Sequence, residues 1–276
     1  MQGIEELAHA KVNLSLRVLR RRDDGFHEIE TLMAPIALCD SLEIERANKF
    51  EFHCDDPALA SEDNLVVRAA RLFFFETNRE PKVRLTLRKE IPHGAGLGGG
   101  SSDAAAALRG LNRFFNAGLS NEKLSTLAAQ LGSDVSFFVN ETAASCSGRG
   151  EIVTPAALPV QLPLLLLKPE FGVPSSWAYS RWQATREVAG AIYQPQKFGG
   201  ITFGNDLERP VFEKFVFLAQ AKMWLLKQPE VSTALMSGSG STIFAVLRAN
   251  TDGDSIAKRA KSELDPELWS LVCETI

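Results

Sequence analysis

The sequence predicts an α+β protein of two domains, and three observations carry that reading. Alternating apolar and polar residues mark strands at 10–18, 29–33 and 83–88. Helix formers at 64–77, 104–108 and 120–131 are interspersed with them. Pro155, Pro159 and Pro163 then punctuate the chain where its texture changes, which predicts a boundary between 1–155 and 156–276. A chain of 276 residues has ample core for two domains of ordinary size.

Each element follows from its own pattern. Ala10, Val12, Leu14, Leu16 and Val18 alternate with Lys11, Asn13, Ser15 and Arg17, so Lys11, Asn13 and Ser15 are expected on one face. Arg20-Arg21-Arg22-Asp23-Asp24-Gly25 ends that strand, Asp-Gly being a hairpin signal. The three arginines suit an acidic substrate or a solvated turn, and their role stays unassigned. Phe26-His27-Glu28 open the next strand, and 42–45 and 50–52 predict further antiparallel ones. Asp63 or Asn64 caps the first helix, and Ser120 and Gly132 bound the third. Asp134 follows at the start of another element, a position that suits a cap or a cleft. Residues 143–147 and 151–154 around Gly148-Arg149-Gly150 form a hairpin. Beyond the prolines come a strand at 164–168, helices at 175–185, 205–215 and 216–227, and a strand near Ala234. The turn Ser237-Gly238-Ser239-Gly240-Ser241, a strand at 242–248, a helix at 254–264 and a strand at 268–273 complete the chain.

One stretch organises the rest. Pro92-His93-Gly94-Ala95-Gly96-Leu97-Gly98-Gly99-Gly100-Ser101-Ser102-Asp103 is expected between the strand 83–88 and the helix that opens at Ala104. Glycines tolerate positive φ and turn successive N–H groups toward one point, and a helix N-terminus adds unpaired donors. Together these form an anion cradle suited to phosphate. A flexible linker fits poorly, because both flanks are patterned. A dinucleotide fingerprint fits the spelling Gly94-Ala95-Gly96-Leu97-Gly98-Gly99, but its strand should be continuously apolar, and 83–88 alternates. A Walker A loop is excluded because no Gly-Lys-Ser/Thr follows. A different nucleotide-phosphate loop remains. Ser237–Ser241 is a second candidate for an anion or a close backbone approach, with a plain hairpin turn as the alternative.

Composition narrows the function classes. A net charge of −4 gives no basic footprint for nucleic acid. The N-terminus Met1-Gln2-Gly3-Ile4-Glu5-Glu6 lacks the cationic start of a secretory signal, and no apolar run is long enough to span a bilayer. Cys39, Cys54, Cys146 and Cys273 form no CxxC pair, so buried thiols in a reducing cytoplasm are expected rather than zinc or redox sites.

The segments Ala10-Lys11-Val12-Asn13-Leu14, 92–103 and Met236–Ser241 are similar to the three motifs of the galactokinase, homoserine kinase, mevalonate kinase and phosphomevalonate kinase (GHMP) superfamily. Adding Asp24-Gly25-Phe26-His27-Glu28 and Gly132-Ser133-Asp134-Val135, the set resembles one branch in particular. That branch phosphorylates the 2-hydroxyl of 4-diphosphocytidyl-2-C-methyl-D-erythritol in the non-mevalonate isoprenoid pathway. The resemblance spans nearly the whole chain. It implies a two-domain GHMP-kinase-like fold with its active site in the cleft between domains, and ATP with Mg²⁺. It implies Lys11 and Asp134 as the catalytic pair. His93, Gly94, Ala95, Gly96, Leu97, Gly98, Gly99, Gly100, Ser101, Ser102 and Asp103 would wrap the ATP phosphates, with Ser101 or Ser102 near Mg²⁺.

Asn13, Phe26 and His27 would bind the cytidine diphosphate-linked sugar alcohol, His27 at the cytosine edge, with Tyr179 as an opposing ring. The branch often has tyrosine where this chain has Phe26, a change that removes a hydroxyl and keeps the stacking face. The implied protein is cytoplasmic, a monomer or homodimer, and binds neither nucleic acid nor membrane. A sister kinase acting on homoserine or mevalonate, a nucleotide-binding protein without catalysis, and a nicotinamide-dependent dehydrogenase are the alternatives. Phe26-His27 argues against the first, Lys11 with Asp134 against the second, and the alternating strand against the third.

Overall fold

The computed structural model describes residues 3–183 and 186–276. The first half runs β1 (Ile4–Arg21), β2 (His27–Arg46), β3 (Glu51–Cys54), α1 (Leu65–Thr77), β4 (Val83–Arg88), α2 (Gly99–Phe114) and α3 (Asn121–Leu131). Two 3₁₀ turns (Ser133–Val135 and Phe137–Val139) lead to the hairpin β5 (Ala144–Ser147) and β6 (Ile152–Pro155). The second half runs β7 (Pro163–Lys168), α4 (Ser175–Ser180), β8 (Gln196–Phe198), β9 (Ile201–Asn205), α5 (Glu208–Lys214), α6 (Val216–Leu226), β10 (Val231–Met236), β11 (Ile243–Leu247), α7 (Gly253–Glu263) and β12 (Trp269–Glu274).

Two sheets carry the molecule. One is eight-stranded, ordered β3-β4-β2-β1-β9-β8 with the β5–β6 hairpin paired to β2. The other is four-stranded, ordered β10-β11-β7-β12. Helix α2 packs on β1 and β2, and α1 and α3 pack against α2 in the same core. The alanines Ala104–Ala107 are wholly buried there, because α2 is packed on several sides and small side chains admit close neighbours. Strand β7 explains its own leucine run: Leu165 and Leu167 face the core of the second half, while Leu164 and Leu166 face a core shared with β1. Each of these buried leucines contributes about 2 kcal/mol of burial free energy.

Several expectations are corrected. Strand β3 pairs parallel to β4, not antiparallel, because α1 carries the chain across between them as a βαβ crossover. The stretches 29–33 and 42–45 belong to one 20-residue strand, β2. Helix α2 starts at Gly99 rather than Ala104, because the Ser102 N–H already donates to the Gly98 carbonyl at 2.9 Å. The helix expected over 175–185 ends at Ser180, and Ala184 and Thr185 lie outside the described residues. The helix expected over 205–215 begins only at Glu208. Before it, β8 and β9 form an unforeseen hairpin about Gly199-Gly200, with Ile201 and Phe203 buried and Thr202 exposed. Strand β9 pairs parallel to β1, so a strand from beyond residue 155 completes the first sheet.

The face shared by Lys11 and Asn13 also departs from simple alternation. Asn13 pairs with Met33 and Ser15 with Leu32, so β1 carries an extra residue there. Such a bulge moves every later side chain to the other face. Ser15 therefore leaves the face of Asn13, and Leu16 takes its place in the cleft lining.

Candidate functional site

The glycine stretch follows β4 and enters α2, and its backbone is held from two sides. The Lys11 N–H donates to the Leu97 carbonyl at 2.9 Å, and the Thr242 N–H donates to the Ala95 carbonyl at 3.1 Å. Gly96 has φ +74°, and a Cβ there would sit 2.2 Å from the Ser237 carbonyl oxygen. Only glycine permits both that conformation and that approach. Gly98 has φ +75°, and a Cβ there would meet the Phe138 ring at 2.8 Å. Ala95 and Leu97 turn their side chains into the shared core, leaving the loop's backbone and its glycines to line the cleft.

The second Gly/Ser segment is a clamp on the first. Ser237, buried at the end of β10, donates its hydroxyl to the Gly96 carbonyl at 3.0 Å. The Asn13 N–H donates to the Ser237 Oγ at 3.3 Å. Asn205 Nδ2 donates to both the Met236 and Gly238 carbonyls at 2.7 Å, so the unforeseen β9 positions this clamp. Behind it lies the buried pair of Glu208 and Lys222 at 2.6 Å, with Glu208 also accepting from the Met236 N–H. Burial raises the Glu208 carboxyl, against the opposing pull of Lys222.

Lys11 lies between the two Gly/Ser segments and is 3% exposed. Its ammonium donates to Asn13 Oδ1 and to the Gly96 carbonyl, and its third neighbour is Asp134 Oδ2 at 3.7 Å. Two donated hydrogen bonds and a carboxylate at ion-pair distance suit a charged ammonium. Burial lowers the Lys11 pKa, and the Asp134 charge opposes that effect. Asn13 is itself oriented by donating from Nδ2 to the Thr31 hydroxyl at 2.9 Å. Asp134 comes from the first 3₁₀ turn rather than from a cap, and its side chain is 38% exposed to the cleft. Cys146 lies close by, its thiol pushed up to about 12 by burial and by the Asp134 charge.

A cleft of about 910 Å³ joins this centre to an aromatic pocket. The imidazole of His27 stacks on Tyr179 with centroids 5.5 Å apart, and Trp182 meets it edge-on at 6.0 Å. Burial, aided by the nearby Arg21 charge, lowers the His27 pKa below its ordinary 6.5. A neutral imidazole offers one donor and one acceptor. Burial and the Asp134 charge raise the Tyr179 phenol, which stays neutral. Phe26 is 49% exposed, and the Arg149 guanidinium lies over its ring, 4.7 Å from the centroid.

Not every residue singled out in the sequence faces the cleft in the expected way. The Ser102 side chain is buried, and its hydroxyl donates to the His9 carbonyl at 2.7 Å, so it is not available to a phosphate or metal. Ser101 lines the cleft instead. Asp103 is 3% exposed and pairs with Lys89 at 2.6 Å, while Lys89 also reaches Asp40. Burial pushes the Asp103 carboxyl up to about 8, and the Asp40 charge adds to this against the pull of Lys89. Burial lowers Lys89 as well, but the two carboxylates outweigh it and raise the ammonium. This buried group braces the start of α2 against β2. Arg20 and Arg22 pair with Glu28, and Arg22 also with Asp24, whereas Arg21 lines the cleft. Thr31, Lys89, Trp182 and Arg149 were missed. Only Arg149 had a local signal, its position between two glycines in a hairpin turn.

The architecture and the loop at the start of α2 define a GHMP-type kinase fold. The family model described as GHMP kinases N terminal domain matches residues 64–142, from the α1 cap past Asp134. A crystal structure of homoserine kinase from Cytophaga hutchinsonii superposes with TM-score 0.68 over 100% of this chain and 95% of its own, at 16% identity, a likeness of fold. A crystal structure of 4-(cytidine 5'-diphospho)-2C-methyl-D-erythritol kinase superposes with TM-score 0.78 at 34% identity, over 99% of this chain and 100% of its own. The 4-diphosphocytidyl-2-C-methyl-D-erythritol kinase of Methylacidiphilum infernorum is 38% identical over 99% of this chain and 97% of the relative. That of Thermodesulfovibrio yellowstonii is 35% identical over 91% of this chain and 92% of the relative. The chain belongs to the 4-diphosphocytidyl-2-C-methyl-D-erythritol kinase family. Among the described residues no helix is long and apolar enough to cross a membrane.

Proposed function

We propose that this chain transfers the γ-phosphoryl group of ATP to the 2-hydroxyl of 4-diphosphocytidyl-2-C-methyl-D-erythritol, in the non-mevalonate route to isoprenoid precursors. One observation carries the reading: a single cleft runs from the glycine loop, past Lys11 and Asp134, to the His27–Tyr179 pocket. The ATP phosphates lie against the loop backbone from His93 to Ser101, at the N-terminus of α2. Asn64 and Leu65, beside Gly100, flank the nucleoside on that side. The cytosine stacks against Phe26 and Tyr179, and neutral His27 pairs with its edge. Asn13 orients the acceptor and Lys11 together.

Asp134 accepts the proton of the acceptor hydroxyl as that oxygen bonds to the γ-phosphorus and the bridging P–O bond breaks to release ADP. Lys11 holds Asp134 in position and offsets charge on the transferring group. A loose transition state asks little of the nucleophile, so alignment supplies most of the rate. Among the described residues no three His, Cys, Asp or Glu side chains gather into a metal cluster. The Mg²⁺ that accompanies ATP would take most ligands from phosphate oxygens and water, with the Ser101 hydroxyl, which lines the cleft, as the protein's ligand. It would neutralise charge on the triphosphate. The division 1–155 and 156–276 fits a cleft between domains, with β8 and β9 of the second lent to the first sheet.

The test is ADP release with the cytidine-linked acceptor, mevalonate or homoserine, for wild type and Asp134→Ala. Turnover with the cytidine acceptor alone, falling by about 10²–10⁴-fold in the variant, is the expected result. Turnover with mevalonate or homoserine instead would refute the cytosine pocket.

A further inference from the structure

The turn Gly148-Arg149-Gly150 joins β5 to β6 and is absorbed by none of the roles above. Gly148 and Gly150 have φ +72° and +110°, so the chain reverses tightly, and the Ile29 N–H donates to the Gly148 carbonyl at 2.8 Å. That bond ties the turn to β2 beside the cleft. A Cβ on Gly150 would lie 3.7 Å from Asp134 Oδ1, so the turn abuts the acceptor carboxylate. From there the Arg149 side chain reaches over the Phe26 ring. Its length thus spans the gap between the reacting centre and the base pocket. An acceptor with its base at Phe26 and His27 and its hydroxyl at Asp134 must run its diphosphate along this span.

The guanidinium is poorly used in the structure. Its Nε lies 3.7 Å from Glu151 Oε1, and the other oxygen of that carboxylate is taken by the Arg149 backbone N–H. Among the described residues the guanidinium donates no hydrogen bond. Its side chain is 26% exposed and lines the cleft, as does Arg21, which pairs across the hairpin with His27. A planar fork of donors suits phosphate oxygens better than an ammonium does. Lys11 serves the reacting centre beside Asn13, Gly96 and Asp134, so the acceptor's diphosphate, nearer the base pocket, calls for a second cation. We infer that Arg149 binds the diphosphate of the acceptor, and so selects a nucleoside diphosphate ester over an uncharged nucleoside. This rests on the cytidine-linked reading above. A lesser role, propping Phe26 through the ring contact alone, makes a different prediction.

The experiment compares CDP with cytidine as inhibitors of ATP-dependent turnover of the cytidine-linked acceptor, in wild type, Arg149→Gln and Arg149→Lys. The expected preference for CDP over cytidine in wild type falls about tenfold or more in Arg149→Gln, while the cytidine constant stays within about threefold. Arg149→Lys recovers part of the preference, because charge returns without the fork. An unchanged CDP preference in Arg149→Gln overturns the inference, as does a parallel loss for both inhibitors, which is the signature of a ring prop. If wild type neither turns over the acceptor nor binds cytidine, the parent reading fails and this one with it. That outcome is distinct from a wild type that is active and a variant that keeps its preference.

Discussion

The two ends of the cleft are built from different materials. The end proposed above for ATP, the donor end, is mostly backbone: glycines that admit positive φ, a helix N-terminus, and carbonyls tied to Ser237, Thr242 and Lys11. The end proposed for the acceptor is mostly side chains: Phe26 and His27 from the β1–β2 hairpin, Asp134 from a 3₁₀ turn, Tyr179 from α4 and Arg149 from the β5–β6 turn. Phosphate is common to many substrates and is met by N–H groups that any residue carries. A base and a hydroxyl must be told apart from their rivals, which takes particular side chains at particular distances. The donor end thus admits no added side chain at Gly96 or Gly98, while the acceptor end tolerates change at the cost of selectivity.

Gly96→Ala tests that contrast most severely. The new Cβ at φ +74° meets backbone atoms of Ser237 and Gly240, which cannot turn away as a side chain could. The expected cost is roughly 2–5 kcal/mol, spread between strain and displaced loop. It is read as a lower melting temperature together with a rise in KM for ATP. An unaltered protein would mean that the two Gly/Ser segments do not hold each other.

His27→Ala is expected to act at one end only. Losing the hydrogen-bonding ring costs about 1–3 kcal/mol of acceptor binding, seen as a raised KM for the cytidine-linked acceptor with KM for ATP unchanged. The pH dependence has a definite sign. The folded pKa of His27 lies below 6.5, so the neutral ring persists above that value, and acceptor affinity falls as the pH drops through the folded pKa. An equal effect on both substrates would erase the distinction between the ends.

Asp103→Asn is read through the pH dependence of stability and sharpens the donor end. With a folded pKa of about 8 against 3.8 for the free group, Asp103 holds its proton in the folded state where the unfolded chain has released it. Folding stability contributed by this group is full below pH 3.8 and is lost as the pH rises toward about 8. The amide cannot titrate, so the variant should show a flatter loss of stability over that window in denaturant titrations at several pH values. An identical slope would mean that the proton sits elsewhere in the group with Asp40 and Lys89.

The glycine loop, the strand carrying Lys11 and the helix caps Asn64 and Ser120 were legible, because each is a local pattern with a local cause. The hairpin β8–β9 was not, although Gly199-Gly200 between short alternating runs is a turn signal, because three- and five-residue strands lie near the limit of periodicity. The separate fates of Ser101 and Ser102 were also hidden. Adjacent helical positions point about 100° apart, so one serine faces the cleft and the other reaches the His9 carbonyl. The β1 bulge that removes Ser15 from the face of Asn13 leaves no mark in the alternation of residues.

By itself the sequence determined the conformations available to each segment: which residues alternate, where φ can be positive, and where a helix can begin. Those are short-range consequences of Cβ sterics and of side-chain polarity. Tertiary structure alone decided that Ser237 would meet Gly96, that Asp134 would come within 3.7 Å of Lys11, and that Tyr179 would stack on His27. Each of these pairs is separated by more than a hundred residues, and their meeting depends on two cores packing against the same strand, β1. No local pattern encodes that packing.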